Sequence, residues 1–362
     1  MNFKKWSISF LALFLSAVLI MGTVTAVVDP YFHYHKPLPF LQYEINYERY
    51  QNDGIVKHFD YDTLITGNSM AENFKASECD ALFSATTVKA AFSGASPKEI
   101  DMNNRAAVKA NPKLKRIIMN LDWANFVKDK DYMSYDADDY PDYLYNENPF
   151  DDVKYLFNKN IFGDVLRTIS YTISGQKTTT MDDYAFWGDD PDTVYGWDAI
   201  CAQYEPNWYH DVEAVFDEDQ YEILSGNLTQ NIISLANENP QIDFYLFMPP
   251  YSMFFWAKMY NVRELEFQFD AQQAAIELLL ECENIHLFSF IDEFVLAQDY
   301  GRYKDYIHYD ADVNSWMLEC MAKDERQLTK DNYNQYLDRC REFYLNYDYE
   351  GLLDKIYSGS AA

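Results

Sequence analysis

The stretch Thr63-Leu64-Ile65-Thr66-Gly67-Asn68-Ser69-Met70 carries a short apolar run into a glycine turn with a serine at its tip. Far along the chain, Asp305-Tyr306-Ile307-His308 sets a carboxylate and an imidazole close enough in sequence to share one tight turn. A serine hydroxyl is a weak nucleophile until an imidazole removes its proton, and that imidazole needs a carboxylate to hold its tautomer. Together these residue types offer acyl transfer, with Ser69 as nucleophile, His308 as base and Asp305 as orienter. The tetrahedral intermediate also needs preorganised donors, and the backbone N–H groups of Ser69 and of Gly94, in Ser93-Gly94-Ala95-Ser96, suit that need. Taken singly, Gly-Asn-Ser is also ordinary turn or cap chemistry, and a lone His308 is also an ordinary hydrogen-bonded histidine.

The elements that must position these groups follow from pattern. Short β-compatible apolar runs occur at Thr63–Thr66, Thr87–Phe92, Arg116–Leu121, Phe244–Met248 and His286–Phe290. Helical patterns separate them, for instance at Ser96–Ala110, Tyr221–Glu238 and Val262–Glu283, and Asn314–Ile356 also reads as helical. The alternation predicts an α/β fold, a three-layer doubly wound (flavodoxin-like) parallel sheet whose crevice lies at the carboxyl ends of its strands. Asn68, Met70, Asp122, Pro250 and Tyr251 fall near those ends and are expected to line the substrate. The long departure at about 129–217, rich in Asp and Tyr, predicts a cap over the crevice. Its acidic clusters, Asp136–Asp142 and Asp189–Asp192, lack the spacing of a calcium loop and read as solvated.

Lys4 and Lys5 precede an almost unbroken apolar run from Trp6 to Val28, long enough to cross a bilayer. The positive flank predicts a single-pass anchor with residues 1–5 cytoplasmic, 6–28 in the membrane, 29–60 connecting, and a domain at 61–356 on the far side. A cleaved signal peptide is the competing reading, because Val24-Thr25-Ala26 resembles a cleavage site. Tyr31, Phe32 and Tyr34 read as interfacial anchors. The chain holds 58 acidic against 29 basic residues, a net charge of −29, which argues against a nucleic-acid partner. Five cysteines and six histidines show no metal-binding spacing, and no pattern calls for a metal or cofactor. Cys320 and Cys340 are expected either to bridge two C-terminal helices or to remain buried thiols.

Gly67-Asn68-Ser69-Met70, then Ser93-Gly94-Ala95-Ser96, then Asp305-x-x-His308, in that order, resemble the blocks of the SGNH (GDSL-like) hydrolase superfamily, in particular its membrane-anchored bacterial members. The resemblance spans roughly residues 61–314. It implies a serine esterase or O-acyltransferase in which Ser69 attacks, His308 acts as base and Asp305 orients it. It further implies a bacterial cell-membrane location, a cell-envelope glycan or acylated small molecule as substrate, and a membrane-bound O-acyltransferase as partner. The family's third block places an asparagine amide in the oxyanion hole, whereas this chain reads Met119-Asn120-Leu121-Asp122. An ionised Asp122 there would repel the oxyanion, and Asn120 or Asn125 is the expected substitute. That departure keeps open a second class: an SGNH-fold envelope-binding or assembly protein without catalysis.

Overall fold

The structure is a computed structural model that describes residues 3–122, 126–135, 140–205 and 210–358. Asn125, Pro206 and most of the Asp136–Asp142 cluster lie outside the described residues. The fold is α/β, with a six-stranded, mostly parallel sheet and one N-terminal apolar helix. In chain order the strands are β1 (Thr63–Gly67), β2 (Thr87–Ala91), β3 (Arg116–Asn120), β4 (Asp243–Met248), β5 (Ile285–Ser289) and β6 (Gln327–Leu328). They lie side by side as β2-β1-β3-β4-β5-β6; β1 to β5 are parallel and β6 runs antiparallel to β5. Every residue of β1 and β2 is buried, which is why these segments read as continuous runs rather than alternating ones. The register pairs Gly67 with Ala91, Asn120 with Phe247 and Met248 with Ser289, so the carboxyl ends of five strands share one edge.

Four helices in the first third set the frame: α1 (Phe3–Val28), α2 (Glu48–His58), α3 (Ala76–Phe83) and α4 (Pro97–Ala110). Helix α4 starts where Ser96 accepts a hydrogen bond from the Glu99 N–H, with Pro97 in the first turn. Helix α2 lies inside the stretch expected to be plain connection. It escapes the apolar pattern because only Ile55 and Val56 of its buried side chains are apolar, while Gln51, Asn52 and Asp53 are buried beside them. Gln51 accepts from the Asn46 and Tyr47 N–H groups and donates to the Pro30 and Glu44 carbonyls, while Asn52 donates to the Ala91 carbonyl at the end of β2. Gly54 lets the backbone of residues 31 and 32 approach; a Cβ there would sit 2.4 Å from the Tyr31 carbonyl oxygen.

Tyr31 and Phe32 are buried in the domain, which corrects the expectation that they anchor at a membrane surface. The chain turns there around the buried Asp29, whose Oδ1 accepts from the His33 N–H and the Tyr155 hydroxyl and whose Oδ2 accepts from the Tyr34 and His35 N–H groups. The helices Val153–Leu156 and Lys159–Ser174, within the expected cap, pack against α1. All five cysteines are free thiols, so Cys320 and Cys340 do not bridge.

Candidate functional site

Beyond β1 the chain enters a single 3-10 turn, Ser69–Ala71, whose N-cap is Asn68; its side-chain oxygen accepts from the Met70 N–H at 3.0 Å. Ser69 stands half-exposed at the start of that turn. Its Oγ lies 2.8 Å from His308 Nε2, across 239 residues of chain. His308 Nδ1 is 2.7 Å from Asp305 Oδ2, and Asp305 Oδ1 accepts from the backbone N–H groups of Ile307 (2.9 Å) and His308 (2.8 Å). Burial raises the Asp305 carboxyl, but the hydrogen bonds from the His308 ring and those two amides outweigh it and hold the group below the usual carboxylate range. The arrangement has the connectivity of a hydroxyl-to-imidazole-to-carboxylate proton relay, with an ionised acid at its far end.

Gly94 is exposed in the loop after β2, with φ +65° and open space where a side chain would be. Among the described residues no protein acceptor is paired with the N–H of Ser69 or of Gly94. The Gly94 loop is held by α2: Glu48 accepts from the Ser93 N–H at 2.6 Å, and Arg49 donates to the Ser93 carbonyl at 2.7 Å while its Nε pairs with Glu99 at 2.8 Å.

Asn120, expected as an oxyanion donor, has its amide engaged by the Ser69 turn. Its Oδ1 accepts from the Asn68 N–H and its Nδ2 donates to Asn68 Oδ1, each at 2.9 Å, so the amide clamps the Ser69 turn to the end of β3. Met70 and Tyr251, expected to line a substrate, are buried in the core, and Pro250 is buried with its carbonyl accepting from the Tyr303 hydroxyl. Asn68 is buried as well, but it donates through Nδ2 to Asp122 Oδ2 at 3.2 Å. Asp122 therefore adjoins the Ser69 turn, and its carboxyl accepts from the Tyr251 hydroxyl. Burial pushes its carboxyl above the usual range; the bonds from Tyr251 and Asn68 and the charges of Lys128 and His308 counter this only in part.

Several supports were missed by sequence reasoning. Lys89, fully buried on β2, donates through Nζ to the carbonyls of Glu72 (2.5 Å) and Phe74 (3.0 Å), pinning the chain just after Ser69. Burial pushes its pKa down to about 7, and burial together with Glu48 pushes Glu72 up to about 8. The available signal was a lysine inside Thr-Val-Lys-Ala-Ala, a run otherwise fit for full burial. Asn314 donates to the Met70 carbonyl at 3.0 Å. Trp187, from the long insertion, stands edge-on to the His308 ring at 5.7 Å between centroids and carries the Lys304 ammonium 3.5 Å above its own ring centre. The Trp187 backbone N–H donates to Asn73 Oδ1, and nearby Asp182 accepts from the Ser77 N–H and hydroxyl, so this part of the insertion is tied beside the relay.

No family model matches the chain, and comparison with curated proteins finds no match. Among solved structures the chain is similar to one described as "a putative platelet activating factor from Streptococcus pneumonia", at 12% identity over 80% of this chain and 91% of that one, with a TM-score of 0.36. A likeness of that size carries no argument about activity.

Proposed function

We propose that the protein is a membrane-anchored, SGNH-like serine esterase or O-acyltransferase that acts on a small acyl ester of a cell-envelope glycan or acylated small molecule. The observation that carries this reading is the unbroken hydrogen-bonded line Ser69–His308–Asp305 at the carboxyl edge of the sheet. In it, Ser69 Oγ bonds to the acyl carbon as its proton passes to His308 Nε2. The carbonyl electrons move onto oxygen, facing the N–H groups of Ser69 and Gly94. Collapse expels the alcohol, which takes the proton back from His308 and leaves an acyl-serine. Water or an acceptor hydroxyl then repeats the sequence, giving hydrolysis or transfer. The strand order β2-β1-β3-β4-β5 supports a doubly wound sheet, and the Trp187 contact supports a capping role for that part of residues 129–217. The apolar helix α1 supports a single-pass anchor with the domain outside the cytoplasm, where a membrane-bound O-acyltransferase is the proposed partner.

A serine-directed fluorophosphonate tests the reading. Intact protein is expected to be labelled and Ser69→Ala is not. Folded protein that takes no label favours the competing reading, a non-catalytic envelope-binding protein, which the acid at Asp122 supports.

Asp122 also yields a pH-dependent expectation. As a neutral acid it can donate to an oxyanion, and as a carboxylate it repels one. Because its pKa is raised, the harmful form accumulates as pH rises through the folded value. The Asp122→Asn variant is expected to match the parent at acid pH and to exceed it about tenfold at alkaline pH, equivalent to about 1.4 kcal/mol. A ratio of initial rates that is flat with pH, or below one throughout, overturns the placement of Asp122 beside the oxyanion.

A further inference from the structure

Helix α1 is longer than a bilayer requires. Its 26 residues span about 39 Å at about 1.5 Å each, against about 30 Å of hydrocarbon. With Lys4 and Lys5 held at one surface, about 20 residues from Trp6 bring the opposite boundary close to Thr25. The contacts of the helix agree. Gly22, Thr25 and Val28, spaced along one face, are buried against the domain, while Leu19, Ile20 and Val27 remain exposed. The domain therefore overlaps the last two turns of α1 instead of standing clear of the membrane.

The residue that meets the deepest of these turns is Phe157. Its ring lies so close to Gly22 that a Cβ there would sit 2.8 Å from it, which places Phe157 about one helical turn below Thr25. Phe157 is nevertheless 43% exposed, and beside it in sequence Val153 is 55% and Phe150 84% exposed. In water these side chains would leave apolar area uncovered at one corner of the domain. Lys154 and Lys159, both exposed, flank them; Lys154 pairs at 3.6 Å with Asp142, a solvent-exposed pair of little strength, while Asp152 is held by His33 and the Tyr34 hydroxyl and Asp151 by Asn146. Apolar side chains bordered by lysines suit the boundary between acyl chains and headgroups, with the ammonium groups reaching lipid phosphates.

We infer that Phe150, Val153 and Phe157 form a foot that enters the lipid bilayer beside α1, fixing the height and tilt of the domain. The inference rests on the membrane reading of α1. It gives residues 150–174 of the insertion a task apart from covering Ser69, and it holds the Ser69 crevice at a constant distance from the lipid surface.

The test uses full-length protein in phosphatidylcholine and phosphatidylglycerol nanodiscs, in a Cys201→Ser background that removes the one cysteine not fully buried. A polarity-sensitive fluorophore is attached in turn to Phe150→Cys, Val153→Cys, Leu11→Cys within α1, and Val212→Cys, an exposed site in a stretch hydrogen-bonded to the backbone of Asn261 and Arg263. Labels at 150 and 153 are expected to be quenched at least threefold more by lipid-borne nitroxide than the label at 212, with weak quenching by aqueous iodide. Iodide quenching at 150 and 153 with lipid quenching at 11 overturns the foot and leaves the anchor standing. Protection from both quenchers at 150 and 153 also overturns it, because protein and not lipid then covers the patch. Loss of lipid quenching at 11 overturns the anchor and the foot together.

Discussion

Replacing His308 by alanine is expected to lower the turnover of a small chromogenic ester by about three to four orders of magnitude while leaving KM within a few-fold. Among the described residues the hydrogen bond of 2.8 Å from Ser69 Oγ to His308 Nε2 is the route by which the serine proton leaves, so without the ring the hydroxyl must attack unaided. Because the residues act as one unit, the Ser69→Ala/His308→Ala double variant is expected to be no slower than either single one. Asp305→Asn separates orientation from charge. Its side chain can still accept from the two backbone amides through one atom, but the amide nitrogen facing His308 Nδ1 is a donor. The imidazole proton then moves to Nε2, where it blocks acceptance from Ser69, and turnover falls by a comparable factor with little change in fold. Stability should show a separate trace of Asp305. Its depressed pKa contributes stability that is present above the ordinary carboxylate range and lost as pH falls through the folded value, so Asp305→Asn flattens the acid limb of the unfolding profile. Retention of more than a tenth of parental turnover in both His308→Ala and Asp305→Asn would sink the relay.

The parts of this molecule that were legible from sequence are those in which local pattern and tertiary environment agree. Strands β1 to β5 stand within about one residue of the apolar runs, because a strand buried on both faces has to be apolar throughout. The convergence of Ser69 with His308 followed from the order of chemically matched residues at strand ends. What was not legible depends on partners distant in sequence. Helix α2 is buried largely through amides that satisfy backbone groups of residues 30, 44, 46, 47 and 91, and its two buried apolar residues, Ile55 and Val56, are adjacent and make no repeating stripe to find. Strand β6 is two residues long and exists only because β5 offers its edge. Lys89 is tolerated in a buried strand because the carbonyls of Glu72 and Phe74, just beyond the Ser69 turn, receive its ammonium. Spacing alone leaves Asn120 or Asn125 to stand in for a repelling Asp122, and only geometry shows Asn120 as the clamp and Asp122 beside the Ser69 turn.

Gly67→Ala is expected to destabilise the protein by more than about 3 kcal/mol and to remove nearly all fluorophosphonate labelling. Two costs combine. The backbone at Gly67 has φ +132°, which an L side chain adopts only with strain of about 1–3 kcal/mol. The added Cβ would also lie 2.0 Å from Asn120 Oδ1, with the end of β3 behind it. Asn120 must therefore leave, which strips the buried Asn68 N–H of its partner at about 1–3 kcal/mol and removes one of the two donors to Asn68 Oδ1, which keeps the Met70 N–H. Gly94→Ala is the comparison: its φ of +65° carries a left-handed penalty of about 1–2 kcal/mol, but the new methyl meets open space. The clash also makes a prediction about coupling. Asn120→Ala relieves it, so the stability lost by the Gly67→Ala/Asn120→Ala double variant, measured in urea, should be at least about 1 kcal/mol smaller than the sum of the two single losses. Labelling should stay low in the double variant, since the clamp is gone even where the clash is not felt. Additive losses, or a Gly67→Ala protein that labels at the parental rate, would mean that Asn120 does not hold the Ser69 turn, and that the relay geometry is set instead from the His308 side.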